Sequence, residues 1–178
     1  MQWFNEPSQW DENRNLLAMT VAPGTDFWRK THDGGIRDNG HFYWQLIKGN
    51  FEAEVKVTGQ YDALYDQAGL MLRVDESLWL KCGIEFMYGV QHASVVVTRD
   101  YSDWSVVALS PNPTAIYLHM KRAGGTIEVQ YSLDGVAYAL IRQAHLTTAE
   151  TVQVGLMAAA PQGSGFNVTF EDFRVTPG

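Results

Sequence analysis

The sequence predicts an all-β fold, an antiparallel sandwich or barrel built from short strands. Apolar and polar residues alternate along many segments, turn residues separate these segments at regular intervals, and no segment keeps a helical period. The 178 residues suit one domain, residues 1–178, and a hydrophobic fraction of 46% is ample for a buried core. Both ends of the chain have the pattern of strands. A jelly roll whose first and last strands pair is therefore the economical arrangement, because that pairing removes exposed edges.

The first sixty residues contain four predicted strands and one long polar loop. The strands are assigned to residues 1–10, 15–22, 42–46 and 51–57. Residues 25–40 are rich in charged residues and glycine, and so long a polar loop inside a compact domain is usually functional or mobile. Calcium binding by this loop stays open. Asp33, Asp38 and Asn39 offer oxygen ligands, but the Asp-x-Asx-x-Asx-Gly pattern is missing.

Residues 65–86 are the centre of the predicted fold and form two strands joined by a turn at residues 75–77. The face expected to meet the core consists of Ala68, Leu70, Leu72, Val74, Leu80, Cys82, Ile84 and Phe86. The opposite face is polar, and glycines interrupt it at intervals that would leave a ligand-sized gap. Because Cys82 belongs to the apolar face, we predict a buried and unreactive thiol.

The second half of the chain continues with seven further predicted strands. They are assigned to residues 93–98, 106–109, 116–122, 126–132, 136–142, 153–160 and 166–175. Gly124-Gly125 and Asp134-Gly135 have the composition of hairpin turns between neighbouring strands. Residues 100–105 are predicted as a loop, and residues 148–150 are the one place where a short helical turn is expected.

The charge and the single cysteine limit the classes of partner and compartment. A net charge of −7 without a basic cluster argues against a nucleic-acid partner, because phosphate binding needs a positive surface. The first residues lack the features of a signal peptide, and no stretch approaches the ~20 apolar residues of a membrane span. One cysteine cannot form an internal disulfide, which agrees with a reducing compartment. We therefore expect a cytoplasmic protein without a membrane or nucleic-acid partner.

Several motifs, in this order along the chain, resemble those of one protein family. They are Tyr65-Asp66-Gln67-Ala68-Gly69-Leu70, Trp79-Leu80-Lys81-Cys82-Gly83-Ile84-Glu85, Ser102-Asp103-Trp104-Ser105, and Gly165-Phe166 with Phe170-Glu171-Asp172-Phe173. The chain is similar to a domain-of-unknown-function family of concanavalin A-like proteins, which includes a protein named for regulation of enolase. The resemblance extends over essentially the whole chain. It implies a concanavalin A-like lectin/glucanase jelly roll, but no particular reaction.

The polar face of the central strands is the candidate ligand-binding site. Its residues are Gln67, Arg73, Trp79, Lys81 and Glu85. A sugar needs an aromatic platform for its C–H faces and charged groups for its hydroxyls, and this face offers both. Lys81 and Glu85 are ~13 Å apart along the strand, so they could contact opposite ends of a monosaccharide. The alternative is a solvated face crossed by ion pairs that contribute little.

Three further residues complete the candidate site. Asp66 precedes Gln67 in the first motif, and His119 could act as a base. Trp104 could stack on a ligand, or it could simply pack over the end of the sandwich. The histidines have no metal-type spacing and no phosphate-binding loop is present, so neither a metal nor a cofactor is expected.

The leading functional hypothesis is a non-catalytic, lectin-like domain that binds a small carbohydrate or related polyhydroxy ligand in a groove on the concave sheet. Glycoside hydrolysis is disfavoured, because glucanases of this fold carry Glu-x-Asp-x-x-Glu on one strand, where this chain offers only Glu85. One alternative is an enzyme acting on a small sugar or sugar acid, with Glu85 or His119 as base. The other is an intracellular protein-interaction or regulatory module. The oligomeric state stays open.

Overall fold

The computed structural model describes all 178 residues as an all-β protein with sixteen strands. They are β1 (Gln2–Phe4), β2 (Trp10–Asn13), β3 (Leu16–Val21), β4 (Phe27–Arg29), β5 (Ile36–Asp38), β6 (His41–Lys48), β7 (Phe51–Gly59), β8 (Gln67–Asp75), β9 (Leu78–Met87), β10 (Val90–Arg99), β11 (Tyr101–Leu109), β12 (Ile116–Ala123), β13 (Thr126–Ser132), β14 (Ala139–His145), β15 (Thr151–Ala159) and β16 (Phe166–Pro177). None of the chain forms a helix long and apolar enough to cross a bilayer.

Two seven-stranded antiparallel sheets form a sandwich, as predicted. The front sheet has the strand order β1-β6-β15-β8-β9-β10-β11, the back sheet has the order β14-β13-β12-β7-β16-β3-β2, and β4 and β5 form a separate hairpin. The predicted pairing of the first and last strands is wrong, because β1 pairs with β6 while β16 lies between β3 and β7. Trp3 of β1 packs on Tyr43 of β6 with ring centroids 4.7 Å apart, which fixes β1 to the edge of the front sheet.

Alternating side chains from the two sheets produce the core of the sandwich. On β7 the inward residues, from Phe51 to Val57, are at most 3% exposed, and the charged residues between them lie on the outer face. Each large apolar side chain buried in this way contributes roughly 1.5–3 kcal/mol. Cys82 lies in the same core at 1% exposure, and burial raises the pKa of its thiol to about 12. The predicted buried thiol is confirmed.

The segment of residues 100–105 is a strand rather than the predicted loop. Asp100 alone makes the turn, with a φ of 64°, and β11 pairs with β10 along its whole length from Tyr101. Aspartate adopts this left-handed conformation more readily than most residues, so the hairpin needs no longer connection. Trp104 therefore projects from an edge strand of the front sheet and not from a loop over the end of the sandwich.

Several other boundaries differ from the predictions. Residues 1–10, predicted as one strand, contain β1 and the start of β2, which lie in different sheets. β14 begins at Ala139, three residues later than expected, because the Asp134 carboxylate accepts hydrogen bonds from the N–H groups of Val136 and Ala137 and so extends the turn. Residues 148–150 contain no helical turn. The N–H of Ala149 is bound by the Thr147 side chain instead, which holds this connection in an irregular form.

Glycines in the front sheet let neighbouring strands approach closely. A Cβ atom at Gly69 would lie 1.9 Å from the carbonyl oxygen of Cys82, and one at Gly83 would lie 2.0 Å from that of Ala68. Gly69 and Gly83 are also directly opposite each other in the register of β8 and β9. The expectation that these glycines leave a ligand-sized gap is wrong, because the backbone of the adjacent strand fills the space.

The outer face of the front sheet carries a second, smaller core beneath the β4–β5 hairpin. Phe27 of β4 is fully buried there and packs edge-on against Trp79, with ring centroids 6.3 Å apart. The members of this outer core are Phe27, Phe42, Met71, Trp79, Val96 and Met157. The prediction of a loop throughout residues 25–40 is therefore wrong. These residues contain the β4–β5 hairpin, which covers part of the front sheet and is attached to it by the packing of Phe27.

Replacing Gly69 with alanine is expected to destabilise the fold by ~3 kcal/mol, because the new methyl group would collide with the Cys82 carbonyl and force β8 and β9 apart. Gly49→Ala is the matched control, since its Cβ would meet nothing within 4 Å. Only the positive φ of Gly49 then costs free energy, ~1 kcal/mol. Urea denaturation measures both changes, and equal losses of unfolding free energy would contradict the close approach of these strands.

Candidate functional site

A cleft of about 930 Å³ lies between the β4–β5 hairpin and the outer face of the front sheet. We call it the hairpin cleft. Its volume is in the range of small-molecule sites, roughly 300–1,000 Å³. Strands β8 and β9 supply the floor, the hairpin forms one wall, and β11 forms the other. The lining includes Asp26, Trp28, Tyr65, Lys81, Glu85 and Trp104.

Lys81 of β9 fixes the hairpin to the sheet. Its Nζ donates hydrogen bonds to the carbonyl oxygen of Phe27 and to Oε1 of Gln67, both at 2.6 Å. Oδ1 of Asp26 lies 3.7 Å from the same Nζ and supplies a negative charge. Lys81 is only 3% exposed, so its ammonium group is committed to these partners. A buried lysine is stable only when its charge is paired and hydrogen-bonded. Here two of the three N–H donors are bound and Asp26 supplies the counter-charge.

Two further ion-pair groups hold the hairpin in place. Arg73 of β8 donates two parallel hydrogen bonds to the Asp38 carboxylate of β5, at 2.6 and 2.8 Å. On the other side, Asp100 accepts hydrogen bonds from Lys30 at 2.7 Å and from Arg29 at 3.0 Å. These bonds, from Lys30 first and Arg29 second, lower the pKa of the Asp100 carboxyl. Both strands of the hairpin are therefore bound to the front sheet by charged groups.

His41, at the start of β6, is hydrogen-bonded both to the N-terminal segment and to the segment that precedes the β4–β5 hairpin. Its Nε2 accepts a hydrogen bond from the N–H of Ala22 at 3.0 Å, so the ring proton is on Nδ1. Nδ1 then donates to the carbonyl oxygen of Asn5 at 2.6 Å. Both contacts together need a neutral imidazole, and burial of the side chain lowers the pKa of His41.

Glu85 is the most distinctive group on the floor of the hairpin cleft. Its Oε2 accepts hydrogen bonds from Ser94 Oγ at 2.7 Å and from Trp104 Nε1 at 2.8 Å. Oε1 has no donor within the protein, and no lysine, arginine or histidine nitrogen lies within ion-pair distance of the carboxylate. Glu85 is 7% exposed and lines the cleft. Two neutral donors thus fix one oxygen and leave the other oxygen without a protein donor.

Three aromatic side chains surround the opening beside Glu85. Trp104 meets Trp28 of the hairpin and Tyr65 edge-on, with ring centroids 6.4 and 6.3 Å away. Tyr65 has a φ of 69°, which is uncommon outside glycine and is found more often at functional sites. Burial, followed by the phenol of Tyr88 and the charge of Glu85, raises the pKa of the Tyr65 phenol.

Four of the predicted site residues come together in the hairpin cleft. Gln67, Lys81, Glu85 and Trp104 line it, although Lys81 and Gln67 bind each other and the hairpin rather than facing a free space. Trp79 does not line it. Its ring is fully buried in the outer core, so it cannot serve as the sugar platform for which it was selected.

The remaining three predicted residues lie elsewhere. Arg73 does not line the hairpin cleft, and its guanidinium group is bound to Asp38 of β5. Asp66 is 1% exposed, and its Oδ2 accepts hydrogen bonds from the N–H groups of Asp62 and Ala63, which gives it a role in closing a loop. His119 belongs to β12 in the back sheet, where its Nε2 lies 3.2 Å from Glu52. His119 and Glu85 therefore cannot act on one ligand.

The sequence prediction did not identify the hairpin residues or Tyr65 as part of the site. Asp26, Trp28 and Asn39 line the cleft, and the polarity and length of residues 25–40 were the available signal. The residues considered for calcium are all bound within the protein: Asp33 to Arg37, Asp38 to Arg73, and Asn39 to the backbone of Gly24 and Asp26. Asp33 is bound to Arg37, which lowers the pKa of its carboxyl to about 2, and no group of three or more His, Cys, Asp or Glu side chains is arranged to hold a metal.

The fold and the polar hairpin cleft define the class of protein: a concanavalin A-like jelly-roll sandwich with a candidate site on the outer face of one sheet. The GH43 protein BlXynB from Bacillus licheniformis shares the fold with a TM-score of 0.73 and 17% identity, over 97% of this chain and 36% of that chain. The alginate lyase from Klebsiella pneumoniae matches with a TM-score of 0.53 and 9% identity, over 92% of this chain and 74% of that one. At these identities the likeness shows the fold alone.

The chain belongs to the DUF1349 family, described as proteins of unknown function, whose family model matches residues 3–178. It is 37% identical over 174 residues to Regulation of enolase protein 1 of Saccharomyces cerevisiae, covering 98% of this chain and 88% of that protein. A crystal structure of a functionally unknown protein from Saccharomyces cerevisiae has a TM-score of 0.95 and 36% identity, with 99% and 96% of the two chains covered. The resemblance inferred from the sequence motifs is confirmed.

Replacing Lys81 with methionine is expected to cost ~3 kcal/mol of unfolding free energy, because the Phe27 carbonyl, Gln67 and Asp26 would lose their donor or counter-charge while buried. Lys48→Met is the matched control. Its pair with Glu150 is 73% exposed on both sides, so we expect a change within ~0.5 kcal/mol. Urea denaturation measures stability, and limited proteolysis reports opening of residues 25–40. If the two variants were equally stable, Lys81 would not be what holds the hairpin.

Stability is expected to fall as the pH drops below ~6.5, the pKa of an unfolded histidine. Burial lowers the pKa of His41 in the folded state, so the unfolded chain binds more protons in this range and protonation favours unfolding. The loss is ~1.4 kcal/mol for each unit by which the two pKa values differ. Urea midpoints measured between neutral and mildly acidic pH test this. His41→Gln should flatten the dependence, whereas His145→Gln, at an exposed position, should leave it unchanged.

Proposed function

We propose that this protein is a lectin-like module that binds a small carbohydrate or related polyhydroxy ligand in the hairpin cleft. The observation that carries the proposal is the pairing of Glu85 with Trp104. The indole N–H is bound to the carboxylate at 2.8 Å, so an oriented acceptor and an aromatic ring are adjacent in one cleft. Sugars use both groups together, since hydroxyls donate to charged acceptors and C–H faces pack on aromatic rings.

The orientation of the Glu85 carboxylate supports this proposal, because two donors fix it before any ligand binds. Ser94 and Trp104 both bind Oε2, and Oε1 is left without a protein donor. A side chain that is fixed before the ligand arrives loses little rotamer freedom on binding. The hydrogen bond to Oε1 can therefore contribute most of its free energy to affinity.

The outer core limits the length of the ligand. The cluster around Phe27 and Trp79 covers the outer face of the front sheet next to the cleft, so a groove running along the whole sheet is blocked. This favours a ligand of one or two sugar units, or the end of a chain, over the interior of a polymer. The volume of about 930 Å³ accommodates such a ligand.

Two other functions remain as candidates. An enzyme acting on a small sugar or sugar acid is supported by the free oxygen of Glu85, which suits a base, but His119 on the back sheet cannot assist it. A protein-interaction or regulatory module is supported by the name of the yeast relative. A cytoplasmic location and the lack of nucleic-acid and membrane partners remain predictions from the sequence.

A thermal-shift panel of monosaccharides and disaccharides tests the proposal, because a ligand that binds only the native state raises the melting temperature. Binding without a product supports the lectin-like module, and product formation supports the enzyme. A folded protein that responds to no sugar contradicts carbohydrate binding and leaves the interaction module.

Glu85→Gln and Ile84→Ala are expected to have opposite effects. The Glu85 variant keeps an amide oxygen for Trp104, so its unfolding free energy should change by less than ~1 kcal/mol while sugar affinity falls by tenfold or more. Ile84 is 2% exposed in the sandwich core, and its truncation should cost ~2–5 kcal/mol through lost burial and a cavity. The folded fraction of Ile84→Ala should keep normal affinity.

Calorimetric titration and urea denaturation, performed on both variants, separate affinity from stability. The proposal fails if Glu85→Gln binds the panel's best sugar as tightly as the unmodified protein. It also fails if Glu85→Gln unfolds while Ile84→Ala is tolerated, because Glu85 would then be a structural carboxylate.

A further inference from the structure

Most carboxylates that line the hairpin cleft are neutralised within the protein. The pairs are Asp26 with Lys81 at 3.7 Å, Asp33 with Arg37 at 2.5 Å and Asp38 with Arg73 at 2.6 Å. Lys81 and Arg37 of the lining are therefore each paired with a carboxylate, while His32 lines the cleft without an ion pair. No lysine or arginine in the lining is left with a free charge for an acidic ligand.

Glu85 differs from these carboxylates because it has no basic partner. It is more than nine-tenths buried, its only hydrogen bonds within the protein come from the neutral donors Ser94 and Trp104, and its Oε1 has no donor. A carboxylate removed from water in this way is stabilised by a positive charge nearby. The protein supplies none, so a ligand that carries the positive charge would complete the site.

The basic residues nearest to Glu85 in the sheet are directed elsewhere. Lys81 is four residues along the same strand, a separation of ~13 Å, and its Nζ is bound to the hairpin and Gln67. His92 is directly opposite Glu85 in the register of β9 and β10. Its Nδ1 instead lies 3.0 Å from the carbonyl oxygen of Val90, and it makes no ion pair with Glu85.

The aromatic side chains beside Glu85 also favour a cation. Trp28, Tyr65 and Trp104 are grouped around this part of the cleft, and Trp104 is 42% exposed. Aromatic faces attract a positive charge through their quadrupole, and tryptophan does so most strongly. A carboxylate next to such rings recognises an ammonium group by two independent attractions.

Asp103, the remaining carboxylate in the lining, does not belong to the group formed by Glu85 and the aromatic side chains. It is on the edge strand β11, opposite Val97 of the sandwich core in the register, and thus on the other side of the strand from Trp104. Asp103 adds negative charge at the rim and has no basic partner within ion-pair distance. It reinforces the repulsion of acidic ligands without contributing to the ammonium contact at Glu85.

From these contacts we infer that the ligand carries a protonated amine, and that the hairpin cleft selects amino sugars over neutral and acidic sugars. The ammonium group binds Oε1 of Glu85, and the apolar face of the ring packs on Trp104. This inference rests on the proposed carbohydrate-binding function and adds the charge class of the ligand to it. Uronic acids and phosphorylated sugars are disfavoured, because no unpaired lysine or arginine lines the cleft to receive their charge.

Isothermal titration near neutral pH and at constant ionic strength, with glucosamine, glucose, N-acetylglucosamine and glucuronic acid, tests the inference. Galactosamine and galactose form a second set. We expect each amino sugar to bind at least tenfold more tightly than its neutral counterpart, since an ammonium group adds the attraction of opposite charges to a hydrogen bond that a hydroxyl would also make. N-acetylglucosamine, which lacks the charge, should bind like glucose, and glucuronic acid should bind most weakly.

Two variants locate the preference. Glu85→Gln should remove the difference between amino and neutral sugars, whereas Asp103→Asn, which removes the same charge from the rim, should change it by less than about twofold. Circular dichroism and the urea midpoint show that each variant is folded. A preference that survives in Glu85→Gln, or one that Asp103→Asn abolishes, would overturn the assignment of the ammonium contact to Glu85.

The outcomes distinguish this inference from the proposed function. Equal binding of glucose and glucosamine, or tighter binding of glucuronic acid, overturns the charge preference and leaves carbohydrate binding intact. Choline, an organic cation without a sugar ring, is the remaining probe. Binding of choline but of none of the sugars would overturn carbohydrate recognition while retaining the selection of a cation by Glu85. Binding of none of the probes overturns both.

Discussion

The buried ammonium group of Lys81 is the contact on which the rest of the site depends. It binds the backbone of the hairpin at Phe27, and the same strand presents Glu85 four residues further on. The hairpin is thereby held at a fixed position relative to the carboxylate, with Phe27 in the outer core and Trp28 in the wall of the cleft. A buried charge costs desolvation free energy that an apolar side chain would not. The directed hydrogen bonds offset that cost. They also set the position of the hairpin more precisely than apolar packing alone would.

The front sheet is unusual for an antiparallel sheet because its central strands are buried on both faces. Such sheets commonly pack one face on the core and leave the other to solvent. In β8, every residue from Gln67 to Arg73 is buried, and in β9 the same holds from Trp79 to Glu85. The outer face is nevertheless polar in sequence. Arg73 and Lys81 are bound by hairpin groups, and Glu85 is bound by Ser94 and Trp104 of the neighbouring strands. The polarity therefore marks a buried contact surface and not a solvated one.

The sequence was sufficient for the parts of the structure that depend on near neighbours. Alternation along β7, β8 and β9 gave the strands, their inward faces and the burial of Cys82, because each depends only on residues two apart. Contacts between residues that are distant in sequence could not be predicted from this alternation. Lys81 and Phe27 are 54 residues apart, and no local pattern shows that the hairpin covers Trp79 and makes it part of a core. His119 was misplaced for a similar reason, since alternation identifies β12 as a strand but does not assign it to the back sheet.

Strand β9 carries core residues on one face and Lys81 and Glu85 on the other, and this has a consequence for how the protein can change over evolution. A one-residue insertion in β9 would exchange the two faces, so the strands of the cleft floor cannot change in length without loss of the fold. Residues 31–35, at the tip of the hairpin, join two short strands and place no side chain in either core. Changes in the length or composition of residues 31–35 can reshape the wall of the cleft that the hairpin forms, at little cost in stability. Within one small domain, the part that must be conserved for folding is thus separate from the part that is free to diversify toward new ligands.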